Sequence, residues 1–210
     1  MTPLSRRAFT AGALAALLAG CGGPGTDRAA RGPGDADKAP PAPPADKGGA
    51  RRTAKPVGRS VPVRLLIPAI EVDTPVMRLG LAADGTMAVP PIEADDRAGW
   101  YEHSPTPGRV GPSVIVGHVT VGSYGDGVFR DLARLRRGDR ITARLENGAE
   151  AAFAVGEVRA IAKADFPADD VYGDVDRPEL RLITCGGRLT DDGYVDNLIV
   201  FATMIAANGP

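Results

Sequence analysis

The stretch Leu-Arg-Leu-Ile-Thr-Cys-Gly-Gly, residues 180–187, decides the fold of this chain. Its apolar residues predict a buried β-strand, and the two glycines mark the place where that strand ends. Cys185 lies at this end, where its thiol can meet solvent. Spacing alone leaves two interpretations open, because a lone cysteine is either a small buried hydrophobe or a reactive nucleophile.

The first twenty residues have the order of a secretory signal peptide. A basic segment at residues 5–10 precedes a short apolar stretch at 11–18, and small residues follow. The apolar stretch is too short to cross the roughly 30 Å of hydrocarbon in a bilayer. Arg6 and Arg7 resemble a twin-arginine export signal, although an ordinary basic region has the same composition. We therefore predict that residues 1–20 are a signal peptide.

The residues Leu-Ala-Gly-Cys at 18–21 resemble the bacterial lipobox. In a lipobox the cysteine becomes the lipidated first residue of the mature protein, so Cys21 is the predicted lipidation site. This predicts an extracytoplasmic protein that a lipid anchor attaches to the outer face of the cell membrane. Cysteines of exported proteins usually pair into disulfides, and an unpaired Cys185 would be exposed to oxidation unless its reactivity were used.

Residues 21–60, which begin at the lipidated cysteine, are predicted to be a disordered linker. They are rich in Gly, Pro, Ala and charged residues and show no hydrophobic periodicity. Such a composition cannot bury enough apolar surface to order the chain. Residues 61–207 then have the usual size of one domain. The chain holds 25 basic and 26 acidic residues, a balance that gives no argument for nucleic acid as a partner.

The domain is predicted to be a series of about eight short strands separated by Gly, Pro and Asp. Asn147-Gly148 between two of them predicts a hairpin. A single helix is predicted over residues 128–135, because Phe129, Leu132 and Leu135 share one face. Many short strands with such turns favour a closed antiparallel barrel or a sandwich. The predicted strands are 63–67, 72–76, 85–89, 113–118, 140–145, 151–161, 179–185 and 197–204.

The chain contains two histidines, His103 and His118. His118 ends a predicted strand, as Cys185 does, and two strand ends on one barrel can face each other across one groove. A cysteine nucleophile needs a neighbouring imidazole, since the thiolate attacks and a free thiol is mostly protonated at neutral pH. The alternative is a structural histidine. His103 lies in a loop rich in proline and is predicted to be on the surface.

Three motifs in series resemble the sortase family. They are Gly-Pro-Ser-Val-Ile-Val-Gly-His-Val at 111–119, Gly-Val-Phe-Arg-Asp-Leu-Ala-Arg-Leu-Arg-Arg-Gly-Asp at 127–139 and Leu-Ile-Thr-Cys-Gly-Gly at 182–187. The pattern Thr-Cys-Gly-Gly…Gly-Tyr-x-Asp-Asn at 184–197 is most similar to the class F or class E-like sortases of high-GC Gram-positive bacteria. The resemblance covers residues 61–202.

The resemblance implies an all-β fold, an eight-stranded closed β-barrel with one or two short helices. It also implies a cysteine transpeptidase that cleaves an LPxTG-like sorting signal of secreted proteins. Cys185 would form an acyl-thioester, which an amine such as a wall peptide or a pilin lysine would resolve. His118 would be the general acid and base, and Thr184 would line the site. The family uses no metal or cofactor for this reaction.

One departure from the family pattern concerns its substrate-binding arginine, which usually lies on the last strand. Asn197 stands at that place here, and Arg188 is the only arginine after Cys185. We predict that Arg188 holds the substrate and stabilises the oxyanion. The alternative is that the Asn197 amide donates hydrogen bonds instead, as side-chain amides do in other oxyanion holes. A third possibility is a weak or inactive enzyme.

Two alternatives belong to other classes of protein. A different cell-wall cysteine enzyme is disfavoured, because papain-like and wall-peptidase families place the cysteine before the histidine and at a helix N-terminus. Wall transpeptidases with the opposite order carry a Ser-x-Gly-Cys type signature, which this sequence lacks. The other alternative is an inactive sortase-like barrel that acts as a surface binding lipoprotein. Only the missing last-strand arginine favours it.

Overall fold

The computed structural model describes residues 56–92, 97–191 and 193–209. The predicted signal peptide, the lipobox with Cys21 and most of the predicted linker lie outside the described residues. Residues 56–60 have no regular secondary structure but contact the domain. The Val57 amide donates to the Gly108 carbonyl at 3.0 Å, and the Ser60 hydroxyl accepts from the Asn147 amide at 3.1 Å.

Eight strands close into one barrel in the order β1-β2-β3-β4-β7-β8-β6-β5. The predicted all-β closed barrel is therefore confirmed. The strands are β1 Pro62–Ile67, β2 Val72–Leu79, β3 Ala98–Tyr101, β4 Gly111–Val116, β5 Arg140–Leu145, β6 Glu150–Ala162, β7 Pro178–Thr190 and β8 Gly193–Asn208. The described helices are the α-helix α1 at Ala168–Tyr172 and 3-10 helices at Pro68–Ile70, Gly122–Tyr124, Leu132–Arg134 and Lys163–Asp165.

The barrel is not purely antiparallel, so that part of the prediction is wrong. β2 pairs with β3 in parallel, and β4 pairs with β7 in parallel. Parallel neighbours need a crossover connection rather than a tight hairpin. The β5–β6 hairpin lies between β4 and β7 in the chain and closes the other side of the barrel. The carboxyl end of β4 consequently lies beside Ile183 in the middle of β7. β7 continues through the two glycines to Thr190, so the prediction that this strand ends at Cys185 is wrong.

Alternating side chains of β4 divide between two apolar clusters. Ile115 belongs to the larger cluster, which fills the barrel. Val114 and Val116 belong to a second cluster on the outer face of the barrel, together with Ile183 of β7 and Ile199 of β8. We call this second set the outer cluster. The connection between β6 and β7 covers it with Phe166 and Val171, and the connection between β2 and β3 covers it with Met87 and Ala88.

The predicted strand at residues 85–89 is wrong. Residues 82–86 form a turn, in which the Ala82 amide donates to the Thr86 carbonyl at 2.8 Å and Gly85 has a φ of 83°. Asp-Gly is typical turn chemistry, and it overrides the apolar residues that follow. The eighth strand is β3 instead, whose four residues are too few for a recognisable alternation.

The prediction of an α-helix at 128–135 is also wrong, although the apolar residues on which it rests are buried. Phe129, Leu132 and Leu135 are 0%, 0% and 1% exposed, but the chain forms turns and a 3-10 helix at Leu132–Arg134. A spacing of three residues fits the 3-10 period as well as one face of an α-helix. Eight residues are also too few for an α-helix to be stable by itself.

The Asn-Gly hairpin is confirmed. The Gly148 amide donates to the Leu145 carbonyl at 2.9 Å, and Gly148 has a φ of 85°. Of the helices in the three described ranges, none has the length and apolar character needed to cross a membrane.

Candidate active site

The register between β4 and β7 sets the positions of His118 and Cys185. Pairing runs from Gly111 opposite Pro178 to Val116 opposite Ile183 without a shift. It continues one step further, because the Gly117 amide donates to the Ile183 carbonyl at 3.1 Å. The same offset carried one more residue would set His118 beside Cys185, at the spacing of about 4.8 Å that separates adjacent strands. His118 lies two residues beyond the end of β4, and Cys185 lies within β7.

The Cys185 side chain belongs to the outer face of the barrel. Successive strand residues point to opposite faces, and Ile183 points to the outer cluster, so Cys185 has the same direction. His118 lies two residues beyond Val116, where β4 ends. Both residues are half-buried, and Cys185 is a free thiol. A thiol with an imidazole beside it can carry out nucleophilic chemistry.

The backbone of His118 is held by the segment that follows it. Its carbonyl accepts from the Phe129 amide at 2.9 Å. Gly127 packs so closely that a Cβ built there would overlap the His118 carbonyl oxygen. The first residue of the Gly-Val-Phe sequence at 127–129 is therefore glycine for a steric reason, because a side chain there would overlap the His118 backbone.

The imidazole of His118 has one described hydrogen-bond partner, which the sequence did not indicate. Its Nε2 lies 2.7 Å from the carbonyl oxygen of Pro90. A carbonyl can only accept, so Nε2 carries the proton and donates to Pro90. Backbone carbonyls leave no signal of this kind in a sequence.

Asn197 lies opposite Cys185 in the β7–β8 ladder. Cβ atoms of such pairs are about 4.5–5.5 Å apart, and both side chains point to the same face. Asn197 is half-buried. The structure therefore brings an amide, rather than an arginine, to the position next to the thiol.

Arg188 lies further out, on an irregular part of β7. The register shifts between Gly186 and Leu189, so Gly187 and Arg188 fall in a bulge. Gly187 has a φ of 72°, and a Cβ there would overlap the Asp196 carboxylate. Arg188 is exposed. The structure places it on the β7–β8 hairpin rather than beside the Cys185 thiol.

Thr184 does not share the face of Cys185. Its place in the alternation matches Leu182, which belongs to the barrel interior. It is 4% exposed, and its hydroxyl finds no hydrogen-bond partner among the described residues. The Thr184 side chain therefore lines the end of the core and not the outer face.

A buried ion pair anchors the β6–β7 connection beside the outer cluster. Arg181 is 4% exposed and Glu179 is 6% exposed; Nη2 of Arg181 lies 2.6 Å from Oε2 of Glu179. Arg181 Nε donates to the Asp170 carbonyl of α1 at 3.1 Å. The guanidinium groups of Arg159 and Arg181 lie 4.6 and 4.7 Å from the centre of the Phe201 ring. These contacts hold the β6–β7 connection against β7 and β8.

A cavity of about 730 Å³ lies at the other end of β4, where Pro112 contributes to its lining. Tyr101 and Tyr172 line it with their rings edge to face, and burial raises the pKa of Tyr172, with a smaller contribution from Tyr101. His103 is exposed, as predicted, and also lines this cavity. Neither Cys185 nor His118 lines it, so this cavity is separate from both residues.

No three His, Cys, Asp or Glu side chains of the described residues gather into a group that could hold a metal ion. The arrangement at Cys185 consists of a thiol, an imidazole and an amide. A thiol activated by an imidazole can carry out acyl transfer through a thioester.

Comparison with known proteins agrees with the fold. A model of the sortase domain matches residues 65–205. A lid mutant of sortase A from Corynebacterium diphtheriae is similar with a TM-score of 0.55, at 19% identity over 71% of this chain and 72% of that chain. A sortase D5 transpeptidase from Clostridium perfringens has a TM-score of 0.52, at 23% identity over 70% and 79% of the two chains.

The SrtA sortase from Actinomyces oris has a TM-score of 0.52, at 23% identity over 72% of this chain and 82% of that chain. At these identities the solved structures show the fold alone. Among curated proteins, none is similar enough to match. The family model spans most of the barrel, from β1 through β8, and includes both His118 and Cys185. On that match this chain belongs to the sortase family.

Proposed function

We propose that this sortase is a cysteine transpeptidase that cleaves a Leu-Pro-x-Thr-Gly-like sorting signal and transfers the acyl group to an amine. The observation that carries the proposal is the unshifted β4–β7 register, which ends at Val116 opposite Ile183, two residues before His118 and Cys185 in their respective chain segments. Sortases in general act on such signals.

The reaction has two acyl transfers. The Cys185 thiolate attacks the threonine carbonyl, the Thr–Gly bond breaks, and the protonated His118 gives its proton to the leaving amine. The acceptor amine then attacks the thioester, His118 takes the proton of that amine, and the thiolate is released. The thiolate is the required form, because a neutral thiol is a poor nucleophile.

We assign the oxyanion contact to Asn197. It lies opposite Cys185 on the same face, whereas Arg188 is exposed on the hairpin. A side-chain amide is an effective oxyanion donor in other enzymes. Arg188 then contacts the substrate further from the reacting carbon.

The finer features of the proposal come from the sequence motifs. The Thr-Cys-Gly-Gly and Gly-Tyr-x-Asp-Asn residues favour a class F or class E-like member. The lipobox favours lipid attachment at Cys21, with the catalytic domain on the outer face of the membrane. Substrates would then be secreted proteins that carry the sorting signal, and the acceptor a wall peptide or a pilin lysine.

The test uses a quenched fluorescent peptide with a Leu-Pro-x-Thr-Gly core, incubated with the protein with and without a short amine. We expect cleavage between Thr and Gly, an amine-linked product, and an acyl-enzyme mass on Cys185. Cys185→Ala should lose all three, while Val195→Ala, an exposed change on β8, should keep them. Cleavage that survives Cys185→Ala, or a wild-type protein that binds the peptide without cleaving it, would overturn the proposal.

A further inference from the structure

The connection after β2 folds back on itself as a small hairpin, residues 80–90, which we call the Pro90 arm. The Ala88 amide donates to the Gly80 carbonyl at 3.1 Å, and Leu81 and Met87 form an isolated antiparallel bridge. At its tip, Asp84 accepts from the Thr86 hydroxyl at 2.7 Å and from the Thr86 amide at 3.0 Å. The arm is therefore an ordered element although it contains no regular strand.

One side of the arm is docked on the barrel. Met87 and Ala88 are half-buried and pack against the outer cluster. Val89, next in the chain, is 61% exposed, whereas Pro90 is buried again. The docked residues thus determine where the Pro90 backbone lies relative to β4 and β7.

The direction of the Pro90 carbonyl is restricted by two consecutive prolines. The ring of Pro90 restricts its own φ. A residue before a proline is confined to extended backbone, so Pro91 restricts the ψ of Pro90 as well. The carbonyl that accepts from His118 Nε2 at 2.7 Å is consequently preset before any substrate arrives.

We propose that Pro90 is a positioning residue: its carbonyl holds the His118 imidazole with the proton on Nε2, which leaves Nδ1 as the atom that exchanges protons. In the neutral ring Nδ1 then has the free lone pair, and in the charged ring both nitrogens donate. The bond a histidine makes with one nitrogen sets the tautomer at the other. Nδ1 takes the proton of the Cys185 thiol and later gives it to the leaving amine, and Nε2 keeps its proton throughout.

The catalytic meaning of this contact rests on the proposed function, but the tautomer itself does not. Long-range proton–nitrogen NMR spectra of the imidazoles distinguish the two tautomers without any activity measurement. The chain has only two histidines, so His103→Gln, at the exposed residue, assigns the signals. We expect wild-type His118 to be in the Nε2–H form when neutral.

The variant that tests the positioning is Pro90→Gly with Pro91→Gly, which frees the carbonyl and removes no member of the two apolar clusters. We expect a mixture of tautomers and a kcat lower by about ten- to a hundred-fold, the cost of losing one hydrogen bond to a charged group. KM should change little, because the two substitutions remove no group that the proposed function assigns to substrate binding. Pro90→Ala retains the carbonyl and Pro91, so it should restore the single tautomer and most of the turnover.

A second variant reaches the same contact through docking. Met87→Asp buries a carboxylate against the outer cluster and should undock the arm, with the same mixture of tautomers. Val89→Asp places the same charge on the exposed side of the arm and is the matched control, with spectra and turnover like wild type. Both variants keep Pro90 and Pro91. A mixture of tautomers in Met87→Asp, with a single tautomer in Val89→Asp, therefore supports the role of docking.

The outcomes separate this inference from the proposed function. A protein that cleaves the peptide with His118 in the Nδ1–H form overturns the inference and leaves the function in place. A wild-type protein in the Nε2–H form that cleaves nothing overturns the function and the catalytic meaning of the contact. A double glycine variant with unchanged tautomer and unchanged kcat also overturns the inference.

Discussion

Cys185 and Asn197 are direct cross-strand partners in the β7–β8 ladder. This relationship sets the Asn197 amide next to the thiol on the same face of the sheet. The single arginine that follows Cys185 lies three residues further along, in a bulge that is exposed to solvent. The sequence favours Arg188 for the oxyanion contact because of its charge. The strand register favours Asn197 because it lies opposite Cys185.

The first prediction ranks these two residues. Asn197→Ala should lower kcat for the quenched peptide by roughly two to three powers of ten, the usual cost of one oxyanion donor. Arg188→Ala should lower turnover less and raise KM, because an exposed side chain on the hairpin contacts substrate further from the reacting carbon. Steady-state cleavage measures both, with Val195→Ala as the control. An Arg188→Ala protein that is crippled while Asn197→Ala stays near wild type would contradict the assignment.

The second prediction concerns the buried ion pair. Glu179→Ala should lower the free energy of unfolding by about 3–5 kcal/mol, because it leaves a buried arginine without its carboxylate. Arg177 is the other partner of Glu179, and the Arg177 side chain is 52% exposed. Arg177→Ala should therefore lower the free energy of unfolding far less. Urea unfolding measures both. Glu179→Leu combined with Arg181→Met should recover most of the loss, and two equally mild single variants would refute the idea.

The third prediction concerns the close approach at Gly127. Gly127→Ala places a methyl group on the His118 carbonyl, and overpacking of this kind typically costs about 1–3 kcal/mol. Gly127 is not among the described glycines with positive φ, so the effect comes from contact and not from backbone strain. Gly58→Ala, which meets nothing within 4 Å, is the control. Thermal unfolding and peptide cleavage should both fall for Gly127→Ala alone.

The fourth prediction concerns pH and the tip of the Pro90 arm. The Thr86 hydroxyl, and then the Thr86 amide, lower the pKa of Asp84 below its ordinary value. A carboxyl with a lowered folded-state pKa stabilises the fold above its unfolded pKa, and this contribution is lost as pH falls through the folded pKa. Thr86→Ala should raise the pKa of Asp84 towards the ordinary value. An NMR titration of the Asp84 carboxyl carbon measures this shift, and an unchanged midpoint would contradict it.

The fifth prediction concerns the anchor. Cys21→Ser should release the protein from membranes or leave an unprocessed precursor, because the proposed lipid on Cys21 would provide the attachment. Cell fractionation with an antibody against the domain measures the distribution. Cys185→Ala should fractionate like wild type. A Cys21→Ser protein that is processed and still bound to membranes would refute lipid anchoring.

Much of the fold follows from local sequence signals. The apolar runs around Ile115 and Leu182 predict strands because each is short, β-branched and bounded by glycine or proline. Asn147-Gly148 predicts its hairpin because the turn itself needs a residue with positive φ. Local signals fail where a turn competes with an apolar run, as at Asp84-Gly85. They also fail where a three-residue spacing fits two kinds of helix, as from Phe129 to Leu135.

The sequence by itself determined which residues of the predicted domain carry chemistry: one thiol, two histidines and a family pattern around them. Only the tertiary structure decided how they meet. The parallel β4–β7 register, the opposition of Asn197 to Cys185 and the Pro90 carbonyl on His118 all join residues far apart in the chain. Strand pairing and loop docking depend on long-range burial and backbone hydrogen bonds. A backbone carbonyl is the same in every residue, so no sequence pattern marks the one that holds the histidine.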